Sequence, residues 1–397
     1  MKEGWHIETI SSLCEQMNGI WKGEKEPLTT AKILRTTNFS KDCQMKLDDL
    51  AIIEVEQKKM EKRRLKRGDI IVEKSGGGPK QPVGRVILFN IDDDDFSFCN
   101  FTSALRIKDQ TKILPEFLHK YLTYLYFSGE TEKYQSNLVG FRNLDFKGYV
   151  SICVKYPSLS EQQRIVSLLD AEFAKIDALK ANAEKNLQNA KDLFQAALKK
   201  ELEPKDGWKR VLMGDVCVLS QGLAINSQTK HLLVEKSELP LLRIKDLRDG
   251  TREIFVNEKE CPLSCRAYPD DMIYTRTGTL GLIFTGMYGV MHNNCFKIQI
   301  DREQIDKFFY MFYVQQASFK NSVLEVAQRA AQPDITHKLF KEQLFSFPSI
   351  SEQKKIAQIL VEVEGKCKIL QANYEKTLSL CDDLKQALLR KAFNGEI

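Results

Sequence analysis

Hydrophobic positions along this chain alternate between two styles. Over 1–157 and again over 205–348 they come in short apolar runs broken by turn residues. Ile70-Ile71-Val72 and Val86-Ile87-Leu88-Phe89 read as strands on either side of a turn at Gly76-Gly77-Gly78-Pro79. Leu241-Leu242-Arg243-Ile244, Met272-Ile273-Tyr274 and Leu282-Ile283-Phe284 read likewise, and Leu114–Phe127 and Ile305–Gln316 carry helical spacing. Over 158–204 and 349–397 apolar residues instead recur every three or four positions. Pro and Gly are absent until Pro204 in the first stretch, and only Gly365 precedes Gly395 in the second. Each stretch predicts a helix of about 40 residues, roughly 60 Å long.

The helix starts are marked. Pro157 and Pro348 end extended stretches, because a proline disfavours helix in the residue before it. Ser160 fits an N-cap with Gln163 as its capping-box partner; Ser351 is the equivalent cap, with Lys354 spoiling the box. The second helix carries a heptad seam: Ile356, Leu360, Val363, Cys367, Leu370, Tyr374, Thr377, Cys381, Leu384, Leu388. The first carries a thinner one: Leu169, Ile176, Leu179, Ala183, Ala190, Leu193, Ala197, with Asn186 on the same face. Bulky residues on one helix facing alanines on the other permit close approach, so the pair predicts an antiparallel coiled coil. A generic dimerisation element is the plainer reading. The first helix lies between two globular blocks, and this favours a rigid spacer.

The chain repeats itself. Pro157-Ser158-Leu159-Ser160-Glu161-Gln162-Gln163-Arg164-Ile165 returns as Pro348-Ser349-Ile350-Ser351-Glu352-Gln353-Lys354-Lys355-Ile356, and the register holds without a gap until Lys200 falls on Lys391. Upstream the match loosens: Asn143-Leu144 falls on Asp334-Ile335, Ser75-Gly76 resembles Thr277-Gly278, and Gly4-Trp5 with Cys14 matches Gly207-Trp208 with Cys217. A repeat of this length sets the architecture. The expected fold is α+β: two β-rich mixed domains (1–157 and 205–348), each followed by a long helix (158–204 and 349–397), related by a pseudo-twofold.

Composition changes this picture little. The 397 residues suit two or three domains, and 43 % hydrophobic content suits packed cores. No run approaches the roughly 18 apolar residues of a membrane span, and the start lacks a signal-peptide core, so a cytoplasmic protein is expected. The net charge of +5 divides as +3 and +2 over the globular blocks, against −1 and +1 over the helices. That suits two polyanion-binding modules and equally suits ordinary solvated surface. The ten cysteines are scattered and read as small core residues; Cys261 and Cys265 lack a second pair to hold zinc. Asp92–Asp95 reads as a solvated loop without metal-ligand spacing.

Catalytic motifs are missing. Gly76-Gly77-Gly78-Pro79-Lys80 is not a phosphate loop, because the Walker spacing fails and the proline lacks an N–H donor. The tetrapeptide by which amino-methyltransferases hold a flipped base is absent, as is a nuclease-type acidic pair followed by E-x-K. His6, His119, His231, His292 and His337 stand far apart, in neither metal nor base spacing.

The doubled P-x-[LI]-S-E-Q-[QK]-[RK]-I phrase heading a long helix resembles the specificity subunits of type I restriction–modification enzymes. Leu34-Arg35, Leu242-Arg243-Ile244-Lys245-Asp246-Leu247 and the ending Leu388-Leu389-Arg390-Lys391-Ala392-Phe393-Asn394-Gly395-Glu396 fit as well. The likeness covers essentially the whole chain. It implies that the globular blocks are target recognition domains, each seated in the major groove over one half of a split, asymmetric site on double-stranded DNA. It implies that the helices set the spacing and dock two methyltransferase subunits. S-adenosyl-methionine, ATP and Mg then belong to methyltransferase and restriction subunits, and the present chain needs no cofactor, metal or catalytic residue of its own.

Base-contacting residues do not transfer by motif, so they are chosen by chemistry. Arginine matches guanine in a bidentate fashion and lysine suits phosphate. In the first domain the candidates are Arg35, Lys74, Ser75, Lys80, Arg85 and Arg142, with Lys58, Lys62 and Arg63 in the densest basic run. In the second they are Arg243, Lys245, Arg276, Thr277 and Arg329. Surface ion-pair partner is the competing role for each. Competing functions are a nucleic-acid enzyme acting alone, a coiled-coil protein adaptor, and a specificity subunit for modification without a nuclease.

Overall fold

The computed structural model describes residues 4–78, 81–138, 141–327 and 333–397. They divide into two compact units, Met1–Ala183 with Lys376–Ile397, and Glu184–Glu375.

The first unit is organised by alternation along one strand. Ile70–Glu73 lies inside a four-stranded antiparallel sheet, between Thr102–Ile107 and Val86–Leu88, with Cys14–Asn18 on the far side of Thr102–Ile107. Side chains alternate across a strand. Ile70 and Val72 therefore enter a core with Phe117, Leu118 and Leu122 of the helix Pro115–Phe127. Ile71 points the other way, into a second core with Leu34, Ile87 and Phe98. A strand buried on both faces reads as a continuous apolar run, as this one does. Beside it Leu28–Leu34 pairs antiparallel with Ala51–Glu56 and parallel with Phe96–Phe98. The expected Gly76–Pro79 turn runs into Pro79, which lies outside the described residues; before it Ser75–Gly77 is a short strand paired with Phe141–Leu144.

The second unit repeats this plan. Met272–Thr275 lies between Cys295–Ile300 and Ile283–Phe284, with Cys217–Gln221 beyond Cys295–Ile300. Met272 and Tyr274 join the core under the helix Lys307–Gln315, while Ile273 joins Leu242, Met291 and Cys295 on the other face. The segment expected as the strand Leu241–Ile244 is extended only over Leu241–Leu242. Arg243 then caps a short helix, Ile244–Asp249, because Asp246 folds back to accept the Arg243 backbone N–H at 3.1 Å.

Both long helices are 44 residues, Leu159–Leu202 and Ile350–Phe393, about 66 Å each at 1.5 Å per residue. The first begins two residues earlier than expected. The Gln162 N–H donates to the Ser158 carbonyl at 2.9 Å, so Ser158 stands at the cap, and Gln163 reaches Ser167 and not the cap. The repeated phrase has a different centre. Gln162, fully buried, accepts the Leu114 N–H (2.9 Å) and donates to the Lys112 and Pro157 carbonyls (2.8 Å each). Gln353, also fully buried, accepts the Asp306 N–H and donates to the Gln304 and Pro348 carbonyls (2.9 Å each). One glutamine in each copy thus ties the start of its long helix to the loop that starts the domain's main helix.

The seam differs in phase from the heptad expectation. Leu169, Ile176, Ala183, Ala190 and Leu360 are buried, and Val363, Tyr374 and Leu388 are half-buried. Leu179, Leu193, Leu370 and Leu384 are instead 51, 55, 38 and 48 % exposed. Within the first unit the reason is visible. Lys180 and Lys385, one position beyond Leu179 and Leu384, occupy the inner face and pair with Asp382 and Asp177. Those crossed pairs fix an antiparallel register there, and Leu389, Ala392 and Phe393 join the first domain's core. In the second unit Leu198 and Leu202 share a core with Ile356, Ala357 and Leu360.

Candidate nucleic-acid interface

In the first unit five segments meet at one corner, held by backbone hydrogen bonds. The Cys99 N–H donates to the Leu34 carbonyl (3.0 Å), the Ile20 N–H to Phe98 (2.9 Å), the Lys74 N–H to Phe101 (2.9 Å) and the Leu144 N–H to Lys74 (2.8 Å). Gly19 is needed for this approach, since a Cβ there would collide with the Cys99 carbonyl. The corner brings together Lys74, Ser75, Asn18 and Asn143. The Lys74 ammonium donates to Asn18 Oδ1 at 3.2 Å and lies 5.7 Å from the centre of the Phe146 ring. Burial pushes its pKa down. Ser75 Oγ contacts Asn143 Oδ1.

The second unit builds the same corner from other residues. His292 donates to the Leu242 carbonyl (3.1 Å), Leu223 to Met291 (2.7 Å), Arg276 to Asn294 (2.8 Å) and Ile335 to Arg276 (3.1 Å), all through backbone N–H groups. Gly222 matches Gly19, for a Cβ there would collide with the His292 carbonyl. Arg276 grips Asp334 with two hydrogen bonds (2.9 and 2.6 Å) and reaches Gln221 Oε1 at 3.1 Å. Thr277 bridges Asp334. Two loose sequence matches, Ser75 with Thr277 and Asn143 with Asp334, are therefore partners within each corner.

The remaining candidates are placed as follows. Arg35 leaves the Leu28–Leu34 strand at this corner and pairs with Asp49 at 2.7 Å. Arg243 leaves Leu242 in the same way and is held by Asp246 (2.6 Å) and Glu253 (2.8 Å), both of which raise its pKa. Lys245 shares Glu253 at 2.9 Å. Arg142 adjoins Asn143 and reaches Glu132 at 3.4 Å. Lys58 and Lys62 are exposed on the helix Gln57–Arg63, and Arg63 donates to the Gly19 carbonyl at 3.3 Å. Lys80 and Arg329 lie outside the described residues.

One expectation needs correction. Arg85 is not a surface group: 6 % exposed, it forms a doubly hydrogen-bonded pair with buried Glu73 (2.8 and 2.6 Å) and donates to the Phe39 carbonyl. It stands just before the strand Val86–Leu88, and sequence gives no sign of its partner twelve residues away. Asp92–Asp95 is the exposed loop expected, and within it Asp92 pairs with Arg67, Asp93 with Lys32 and Asp94 with Arg64. Part of the basic run is thus balanced from within.

Sequence reasoning missed Asn18, Gln221, Asn294, Trp21 and Phe101. Trp21 and Phe101 are 65 and 48 % exposed and stack edge-on, ring centres 6.0 Å apart. The paired glycines Gly19 and Gly222, each ending a strand-like run, were the available signal. Among the described residues no group of three metal-ligating side chains is gathered, and no helix is long and apolar enough to cross a membrane.

Comparison with known proteins agrees with a doubled reader. The chain is 22 % identical to the type I restriction enzyme StySPI specificity subunit of Salmonella potsdam, over all of this chain and 90 % of the relative. It is 22 % identical to the EcoKI specificity subunit of Escherichia coli K12 over the same shares. Among solved structures, a chain from work on complex assembly and conformational transition of the type I R-M system superposes with a TM-score of 0.80 at 18 % identity, covering all of this chain and 99 % of that one. The HsdS subunit from Thermoanaerobacter tengcongensis gives 0.56 at 17 %, covering 100 and 98 %. The family model for the type I restriction modification DNA specificity domain matches residues 2–189 and again 205–378. The chain therefore belongs to the family of type I restriction–modification DNA specificity domains and carries two of them in tandem.

Proposed function

We propose that this chain is the non-catalytic, DNA-reading subunit of a type I restriction–modification complex, and that each corner faces one half of a split, asymmetric target in double-stranded DNA. The observation that carries this reading is the equivalence of the two corners. Four backbone hydrogen bonds and one glycine are kept, while the side chains they present differ. A scaffold kept constant under changing polar side chains suits two modules that read different bases in one docking mode.

The partners follow from the exposed faces of the long helices. Leu179, Leu193, Ile369, Leu370, Leu380 and Leu384 are each more than a third exposed. Apolar groups gathered on two helices suit a protein partner. In this reading two methyltransferase subunits dock there and bring S-adenosyl-methionine. Restriction subunits, where present, bring ATP and Mg chemistry. The work is done in a prokaryotic cytoplasm.

The test is co-expression with a type I methyltransferase subunit and mapping of methylated adenines across the host DNA. A split motif with a fixed gap and two different halves is expected. Lys74→Ala should weaken DNA binding across sequences, with a shallower salt dependence, as loss of a phosphate contact does. Absence of new methylation, with partner binding that ignores salt, would replace this reading with a protein adaptor.

A further inference from the structure

We propose that Trp21 and Phe101 are the thymine reader of the first domain, contacting the 5-methyl group of thymine in the major groove. The inference rests on the reading of the corner as a DNA interface and adds which base one part of it recognises.

The aromatic pair belongs to the corner and is not a stray surface patch. The Phe101 carbonyl accepts the backbone N–H groups of both Lys74 (2.9 Å) and Ser75 (3.2 Å). Trp21 follows Ile20, whose N–H is bonded to Phe98 and which bridges Cys99, two residues before Phe101. The two rings are thus set by the same hydrogen bonds that set Lys74 and Ser75. They lean on each other at 65°, leaving both largely open to solvent.

Two exposed aromatics beside a lysine and a serine need an apolar counterpart close to phosphates and base edges. In the major groove the base edges offer one apolar group, the thymine methyl. The second domain supplies the contrast. Gly222-Leu223-Ala224 corresponds to Gly19-Ile20-Trp21, and His292, Asn293 and Asn294 correspond to Cys99, Asn100 and Phe101. Ala224 and Asn294 thus replace the aromatics, beside Arg276 and Gln221. Among the described residues the equivalent positions of the second corner carry no aromatic, so the two corners read chemically different edges.

The experiment uses the complex of the full chain with its methyltransferase subunit, on duplexes carrying the mapped target. Each thymine is replaced in turn by deoxyuracil, which removes only the methyl. The wild-type complex should lose about four-fold in affinity at one or two thymines, the value of one buried methyl-sized group. The Trp21→Ala and Phe101→Ala complexes should bind the thymine duplex more weakly and no longer distinguish thymine from uracil there. Equal weakening on both duplexes would overturn the proposal in favour of a wedge or sugar contact. Unchanged DNA binding would overturn it too, as would loss of methyltransferase binding in place of DNA binding. Lys74→Ala separates the two levels: if it weakens DNA binding while Trp21→Ala does not, the corner stands and the thymine reader falls. If neither variant changes DNA binding, the corner itself is wrong.

Discussion

Gln162 and Gln353 should be worth the same amount of stability, in different halves of the molecule. Replacing either with leucine keeps the volume and removes three hydrogen bonds. At 162 the Leu114 N–H and the Lys112 and Pro157 carbonyls lose their side-chain partner; at 353 the losses are the Asp306 N–H and the Gln304 and Pro348 carbonyls. A buried donor or acceptor left unpaired costs about 1–3 kcal/mol, so each substitution should cost about 3–5 kcal/mol once partial relaxation is allowed. Gln163 and Lys354, exposed neighbours in the same phrase, should cost less than about 0.5 kcal/mol as alanine. Native-state hydrogen exchange reads this locally. Gln162→Leu should deprotect amides of the helix Pro115–Phe127, and Gln353→Leu those of Lys307–Gln315. A cost below about 1 kcal/mol at either site, or a Gln163→Ala cost as large as that of Gln162→Leu, would refute the tie.

Three further outcomes are expected. His119 is buried with Nε2 against the Cys43 carbonyl (3.1 Å), and burial followed by nearby Lys120 lowers its pKa to about 4 from 6.5. Because the folded value is depressed, its contribution is whole above pH 6.5 and is lost as pH falls toward 4. The loss is about 3 kcal/mol in total, and His119→Gln should flatten the stability profile over that window while leaving stability at pH 8 nearly unchanged. Arg85→Met should cost about 3–5 kcal/mol by stranding buried Glu73, and the double variant with Glu73→Leu should recover most of it in denaturant titrations. Lys180→Met with Asp382→Leu should change stability by no more than about 1 kcal/mol, since both groups are part-exposed, and that difference should shrink in 1 M salt.

Much of the architecture was legible because it is written in period and repetition. Strands buried on both faces, such as Ile70–Glu73, leave unbroken apolar runs, and the Pro-Ser phrase marks both helix starts. The seam was legible only in part. Leucine spacing cannot tell that Lys180 and Lys385 turn inward, because their inward position depends on Asp382 and Asp177, some two hundred residues away. The corner was half legible: chemistry selected Lys74, Ser75, Arg276 and Thr277, and the repeat selected their partners Asn143 and Asp334. Arg85 shows the limit of residue-type reasoning. An arginine suited to guanine is equally suited to a buried glutamate, and only burial distinguishes the two.

The division of labour between the repeats follows from what holds each part in place. The helix–domain ties are made by side chains, Gln162 and Gln353, so their residue type cannot change without loss of three hydrogen bonds. The corners are made by backbone bonds, from Cys99 to Leu34 and from His292 to Leu242, which any residue but proline can supply. Gly19 and Gly222 are sterically fixed, and Gly76 and Gly278, beside Ser75 and Thr277, hold positive φ. Side chains at 21 and 101, and at 224 and 294, can therefore vary without disturbing the scaffold that presents them, whereas Arg276 is tied to Asp334. An aromatic pair beside a lysine in one domain and an asparagine beside an arginine in the other are alternative contents of one frame. If the corners read DNA as proposed, substitution at the corner changes the target and leaves the attachment to the helices untouched.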